Sequence, residues 1–166
     1  MNKNLTNDIE FIYGPPGTGK TTRLVKMVSD ILKLTKEKVS ILVLTPTNKA
    51  ADVVAEKMSR DSVCYNHLTR FGATESLYLI EDVAVVTNRD TFDITNLQKN
   101  VVVTTAARYA YDYIQPDETF LCDYNWDYII IDEASMVDIV TCTYILYKGT
   151  PAKFIISGDP KQIPPV

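Results

Sequence analysis

Apolar residues in this chain fall in short unbroken runs, and between the runs they recur at helical spacing. The runs are Ile9-Glu-Phe-Ile-Tyr13, Val39-Ser-Ile-Leu-Val-Leu44, Val101-Val-Val-Thr-Thr105, Tyr128-Ile-Ile-Ile131 and Lys153-Phe-Ile-Ile-Ser157. Most are apolar at successive positions, the pattern of strands covered on both faces. Leu24, Val25, Val28, Ile31 and Leu32 mark a helix from about Gly19 to Leu34. Ala50, Val53, Val54, Ala55 and Met58 mark another from Lys49 to Arg60, behind a turn at Thr45-Pro-Thr-Asn48 that offers an N-cap. Further helices are predicted over Ala106 to Ile114, ended by Gln115-Pro116, and over Ala134 to Lys148. The last should bury Met136, Val137, Val140, Tyr144 and Tyr147 and end at a C-capping Gly149. Strands alternating with helices over short links predict an α/β fold with a mainly parallel sheet.

Residues 61–100 break this rhythm. Val63-Cys-Tyr65 and Val83-Ala-Val-Val86 read as short strands, and Leu77-Tyr-Leu-Ile80 reads as strand or helix. Asn88 to Thr91 reads as a turn, and Thr91 to Lys99 as a short helix or loop. The stretch is expected to be an irregular insertion crossing one edge of the sheet. Asp117 to Trp126 is acidic and aromatic, a predicted surface loop.

The chain has 166 residues, enough for a single domain with a full core. Its apolar and charged fractions are ordinary for a globular protein. No apolar run approaches the roughly 20 residues that span a bilayer, and Met1-Asn-Lys-Asn-Leu5 lacks a signal-peptide core. Cys64, Cys122 and Cys142 form neither a metal pattern nor an even disulfide set, so they are expected to be reduced thiols of a cytoplasmic protein. A formal net charge of −4 argues against a sequence-blind nucleic-acid binder held mainly by charge.

Chemistry enters at Gly14-Pro-Pro-Gly-Thr-Gly-Lys-Thr21, which fits G-x-x-x-x-G-K-[ST] and lies between a strand and a helix start. Its glycines let the backbone approach an anion closely, and the helix that follows presents its positive end. Lys20 would reach the β- and γ-phosphates of a nucleoside triphosphate, and the Thr21 hydroxyl would ligate Mg²⁺. About 110 residues on, Asp132-Glu133 closes a buried-strand pattern, the place where ligands of parallel sheets bind. An Asp there holds the metal, and its neighbour Glu can take a proton from an attacking water. Gly158-Asp-Pro-Lys-Gln162 follows the last strand and is expected on the same rim. Taken alone it is a simple turn; with the other two sites, Gln162 could contact the γ-phosphate and the attacking water.

The ordered set resembles the first motor domain of a superfamily 1 helicase. Gly14–Thr21 matches motif I, Thr45-Pro-Thr-Asn-Lys-Ala-Ala-Asp52 is similar to motif Ia, and Val103-Thr-Thr-Ala106 is similar to motif Ic. Asp132-Glu-Ala-Ser-Met136 matches motif II, and Gly158-Asp-Pro-Lys-Gln-Ile-Pro-Pro165 matches motif III. The flavour is that of the 5′→3′ branch, with RecD-like enzymes and the RNA-decay and DNA-repair helicases as the similar groups. The resemblance implies a three-layer RecA-like P-loop NTPase domain that uses ATP and Mg²⁺. It implies a nucleotide-binding stretch made of Gly14, Pro15, Pro16, Gly17, Thr18, Gly19, Lys20, Thr21 and Thr22. Thr21 and Asp132 would serve the metal, and Lys20, Glu133 and Gln162 would be catalytic. Thr45, Pro46, Thr47, Asn48 and Thr105 would touch a single strand of DNA or RNA through its backbone.

Two departures qualify the match. The family's adenine-reading glutamine has no counterpart, since none of the thirteen residues before Gly14 is Gln. The chain also stops directly after motif III, so the second motor domain, with its transition-state arginines, is expected from a longer parent. Alone, the chain should bind nucleotide, hydrolyse it poorly and not translocate. The competing readings are a ring-forming AAA-type ATPase and a nucleotide-gated binding module with little turnover. His67, the scattered arginines Arg70, Arg89 and Arg108, and the tyrosines Tyr109, Tyr111, Tyr113, Tyr124 and Tyr128 are read as packing or surface residues.

Overall fold

A computed structural model of the chain describes residues 9–87, 98–111, 121–159 and 161. Among these residues seven strands form one sheet: β1 (Ile9–Tyr13), β2 (Val39–Thr45), β3 (Leu68–Phe71), β4 (Ala84–Val86), β5 (Lys99–Thr105), β6 (Tyr128–Ile131) and β7 (Lys153–Gly158). Their order is β1-β7-β6-β2-β5-β3-β4, and every neighbouring pair is parallel. The helices are α1 (Lys20–Leu34), α2 (Asn48–Ser59), α3 (Ser62–Tyr65), α4 (Leu77–Asp82), α5 (Ala106–Tyr111) and α6 (Ile139–Gly149).

The unbroken apolar runs are unbroken because the sheet has two covered faces. Ile41 and Val43 of β2 point into one core with Leu24, Val28, Val54 and Met58 of α1 and α2. Leu42 and Leu44 point into the other, with Tyr109 of α5 and Ile145 of α6. Alternation at a period of two thus splits each central strand between two cores, giving three layers.

Residues 61–87 depart from the expected irregular insertion. They form two short helices and two parallel strands that extend the sheet at its edge. Val63–Tyr65 is helical, because the Asp61 carboxylate accepts from the amides of Val63 and Cys64 and so caps a turn. The strands here are Leu68–Phe71, wholly buried, and Ala84–Val86, within the expected Val83–Val86 run. The ambiguous Leu77–Ile80 stretch is helical, capped by Ser76. The readings of Asn88–Thr91, and of Thr91–Lys99 up to residue 97, lie outside the described residues.

Past β6 the single helix expected over Ala134–Lys148 is divided. A 3₁₀ turn spans Ala134–Met136, and α6 begins afresh after Asp138, whose carboxylate accepts from the Thr141 amide at 2.8 Å. The restart rotates the buried face to Val137 and Ile145, leaving Val140 and Tyr147 exposed. Gly149 is the last helical residue, and its reason is space. A Cβ there would meet the Ile129 side chain and lie 3.0 Å from Phe154 Cζ. Of the predicted surface loop, Asp123 and Asn125 are exposed as expected, but Leu121, Cys122 and Trp126 are buried, and the Trp126 indole donates to the Leu121 carbonyl at 2.8 Å.

Candidate functional site

In a parallel sheet the carboxyl ends of all strands lie on one rim. The loop after β1, the Asp132-Glu133 pair after β6 and Gly158-Asp159 at the end of β7 therefore share that rim. The Gly14 amide donates to the Gly158 carbonyl at 3.4 Å, tying the first loop to the last strand.

The loop between β1 and α1 turns on Gly17 and Gly19, with φ of 80° and 84°. Thr18 Oγ1 donates back to the Pro15 carbonyl at 2.7 Å and steadies the turn. Lys20 Nζ donates to the Gly14 and Pro15 carbonyls at 2.6 and 3.0 Å, which folds the ammonium over the loop. A cleft of about 300 Å³ opens here, lined by Tyr13, Gly14, Pro15, Thr18, Gly19, Lys20 and Arg23 among others.

The join to the second element is direct. Thr21 Oγ1 donates to Asp132 Oδ2 at 3.3 Å. Asp132 is buried, and its other carboxylate oxygen accepts from the Glu133 amide at 3.1 Å. Among the described residues no basic side chain pairs with it. A buried carboxylate beside a hydroxyl, without a cation of its own, suits a hard divalent ion that takes oxygen ligands. Glu133 turns the other way, into solvent, with a φ of 50°; among the described residues it is the only non-glycine with positive φ. Such backbone outliers gather at functional sites. Thr21, Asp132 and Glu133 line a second cleft of about 250 Å³ together with Thr47 and Lys49.

The expected strand-contact residues occupy adjacent strand ends, Thr45 pairing with Thr105 across β2 and β5. Their side chains differ in what they offer. The Thr45 hydroxyl is buried and its one proton lies within reach of the Thr47 carbonyl at 3.0 Å and the Thr104 carbonyl at 3.3 Å, so it is not presented to a ligand. Thr47 Oγ1 caps α2 by accepting from the Ala50 amide, and Thr105 Oγ1 accepts from the Arg108 amide. The exposed surface of this turn is Thr47, Asn48 and Lys49, beside a half-buried Pro46. Gln162 lies outside the described residues.

Arg70 was missed as a site-building residue. It is wholly buried, with Nε donating to Asp52 Oδ1 at 2.8 Å. Its other nitrogens donate to the carbonyls of Phe71 and Ala73 at 2.6 and 2.9 Å and to Asn48 Oδ1 at 3.1 Å. It thus pins the start of α2, and with it the exposed Asn48 turn, to the end of β3. Nothing in Leu68-Thr-Arg-Phe71 marks the arginine as buried before the fold is known. Arg108 also has a packing role, lying 5.1 Å from the centre of the Phe71 ring.

The AAA_19 family, described as "AAA domain", matches residues 1–166. The chain belongs to that family. This AAA_19 domain is 29% identical over 163 residues to the RecBCD enzyme subunit RecD of Buchnera aphidicola subsp. Schizaphis graminum, covering 98% of the chain and 24% of that protein. It is 29% identical over 160 residues to the DNA replication ATP-dependent helicase/nuclease dna2 of Schizosaccharomyces pombe, covering 93% of the chain and 10% of that protein. The domain therefore spans a quarter or less of the length of these relatives. Its fold matches the Type ISP restriction-modification enzyme LlaGI, solved with a DNA substrate mimic, at a TM-score of 0.67 and 20% identity, over 95% of the chain and 16% of that structure. It also matches the UvsW helicase of bacteriophage T4 at a TM-score of 0.57 and 13% identity, over 93% of the chain and 47% of that structure. The superfamily 1 motor-domain resemblance and the α/β P-loop fold both stand.

Proposed function

We propose that this domain is the ATP-binding motor half of a helicase that couples ATP hydrolysis to movement along single-stranded DNA or RNA. The observation that carries the reading is the 3.3 Å hydrogen bond from Thr21 to Asp132, which brings two motifs far apart in sequence to one point. Lys20 would exchange its loop carbonyls for the β- and γ-phosphates, while the glycine-rich backbone and the start of α1 supply N–H donors. Thr21 and Asp132 would hold Mg²⁺, which when bound offsets the charge of the phosphates. Glu133, turned into the cleft, would accept the proton of the attacking water. Thr47, Asn48 and Thr105 would present backbone amides and polar side chains to strand phosphates, without reading bases. Gln162 would sense the γ-phosphate. A second motor domain, supplied by a longer parent, would close over the nucleotide and bring the arginine that rapid turnover requires.

The test is ATP turnover of the longer protein with and without single-stranded nucleic acid, in wild type, Lys20→Ala and Glu133→Gln. Several-fold stimulation that vanishes in both variants supports the motor. Turnover indifferent to the strand removes the helicase reading.

A further inference from the structure

β1 is an outer strand of the sheet: among the described residues it pairs only with β7. Its alternate positions behave differently. Ile12 is buried against α1, whereas Phe11 and Tyr13 lie on the other face, 48% and 67% exposed. Their rings are stacked, with centroids 5.6 Å apart and planes within 8°. Exposed aromatic pairs on an edge strand cost solvation, and this one stands directly before the phosphate loop. Tyr13 and Arg23 line the same cleft as Gly14, Pro15, Thr18 and Lys20. The two-residue step from Phe11 to Tyr13 runs along the strand toward the rim, so a third flat group continuing the column would lie at the mouth of that cleft.

We propose that Tyr13 is the base platform of the nucleotide site, the purine stacking on its ring as the third member of a column begun by Phe11. The proposal deepens the nucleotide-binding reading above and rests on it. Stacking recognises a π-face and not a pattern of donors and acceptors, so the site takes purine nucleoside triphosphates with little choice between adenine and guanine. No Gln or Asn occurs in β1 to read a base edge. Arg23, exposed and only 3.8 Å from Glu10 in a loose surface pair, stands ready to swing toward the sugar or phosphates. Phe11 acts as a positioning residue, backing the Tyr13 ring so that little freedom is lost when the base arrives.

The experiment is titration calorimetry with Mg²⁺ present, using ATP, GTP and inorganic tripolyphosphate as three separate probes. Wild type should bind ATP about tenfold more tightly than tripolyphosphate, an increment within the range of aromatic–base stacking. GTP should fall within about threefold of ATP. Tyr13→Ala should bring ATP down to the level of tripolyphosphate and leave tripolyphosphate unchanged, and Tyr13→Phe should behave as wild type. The proposal is overturned if Tyr13→Ala binds ATP as wild type does, or if wild type rejects GTP strongly. If wild type binds neither ATP nor tripolyphosphate, the phosphate-loop reading fails and takes the platform with it. If tripolyphosphate binds and ATP gains nothing over it, the platform alone fails.

Discussion

Replacing Arg70 by Met tests whether a buried cation holds the Asn48 turn to the end of β3. The Arg70 side chain is 0% exposed and that of Asp52 only 16%, so solvent screens this pair little. Methionine fills much of the volume but removes every donor, stranding the Asp52 carboxylate, Asn48 Oδ1 and the carbonyls of Phe71 and Ala73. Breaking one side of a buried ion pair costs about 3–5 kcal/mol. A domain of this size loses about 2–4 °C in Tm per kcal/mol, so the variant should melt roughly 6–20 °C lower. Arg70→Lys keeps the charge but offers three donors from one point where the guanidinium offers five in a fork, and should recover less than half of the loss. In the Arg70→Met background, Asp52→Asn should cost less than in wild type, because the carboxylate is already unpaired. Urea unfolding with unchanged m-values measures all five proteins. A loss below about 1 kcal/mol for Arg70→Met would refute the argument, since an exposed ion pair gives that much.

Other outcomes follow from single sites. Gly149→Ala should destabilise by about 1–3 kcal/mol through overpacking against Ile129 and Phe154, and a neutral result in urea unfolding would rule out the packing explanation. Gly19→Ala has open space around its Cβ but a φ of 84°, so its cost of about 1–2 kcal/mol should come from backbone strain alone. Burial pushes the Cys64 thiol up to about 12, so at pH 8 a disulfide reagent should label half-buried Cys142 before Cys64, and peptide mapping that finds Cys64 labelled first would contradict the structure. Burial, helped by the Lys99 ammonium, holds the His67 imidazole below its ordinary value. The unfolded chain therefore binds that proton first, and stability should fall as pH drops below about 6.5, then level off once the folded imidazole protonates. His67→Gln should flatten that limb of a pH–stability curve.

The sequence showed its chemistry more clearly than its edges. The convergence of Gly14–Thr21 and Asp132-Glu133 was legible because each motif sits at a strand end, and β2, β5, β6 and β7 because burial on both faces leaves their centres apolar at successive positions. Leu68–Phe71 was not legible, since Thr69 and Arg70 interrupt the apolar run and only the fold shows that both are buried. Val63–Tyr65 misled because β-branched and aromatic residues suggest a strand, while a single carboxylate at Asp61 supplies the cap that makes a turn of helix. The break before α6 was readable in principle: Asp138 three residues before Thr141 is an N-cap in the middle of a stretch taken as one helix. The inward role of Thr45 was not, because the motif fixes the turn and not which hydroxyl faces the protein.

The pairing of β1 with β7 has a consequence for the chain as it is made. The strand that carries the phosphate loop leaves the ribosome well before Lys153–Gly158, the strand it docks on. Until that late segment arrives, Gly14 has no carbonyl of Gly158 to anchor it and the loop hangs from an unpaired edge. A nascent chain should therefore fail to capture nucleotide until Lys153–Gly158 has emerged, and gain that capacity abruptly when β7 pairs with β1.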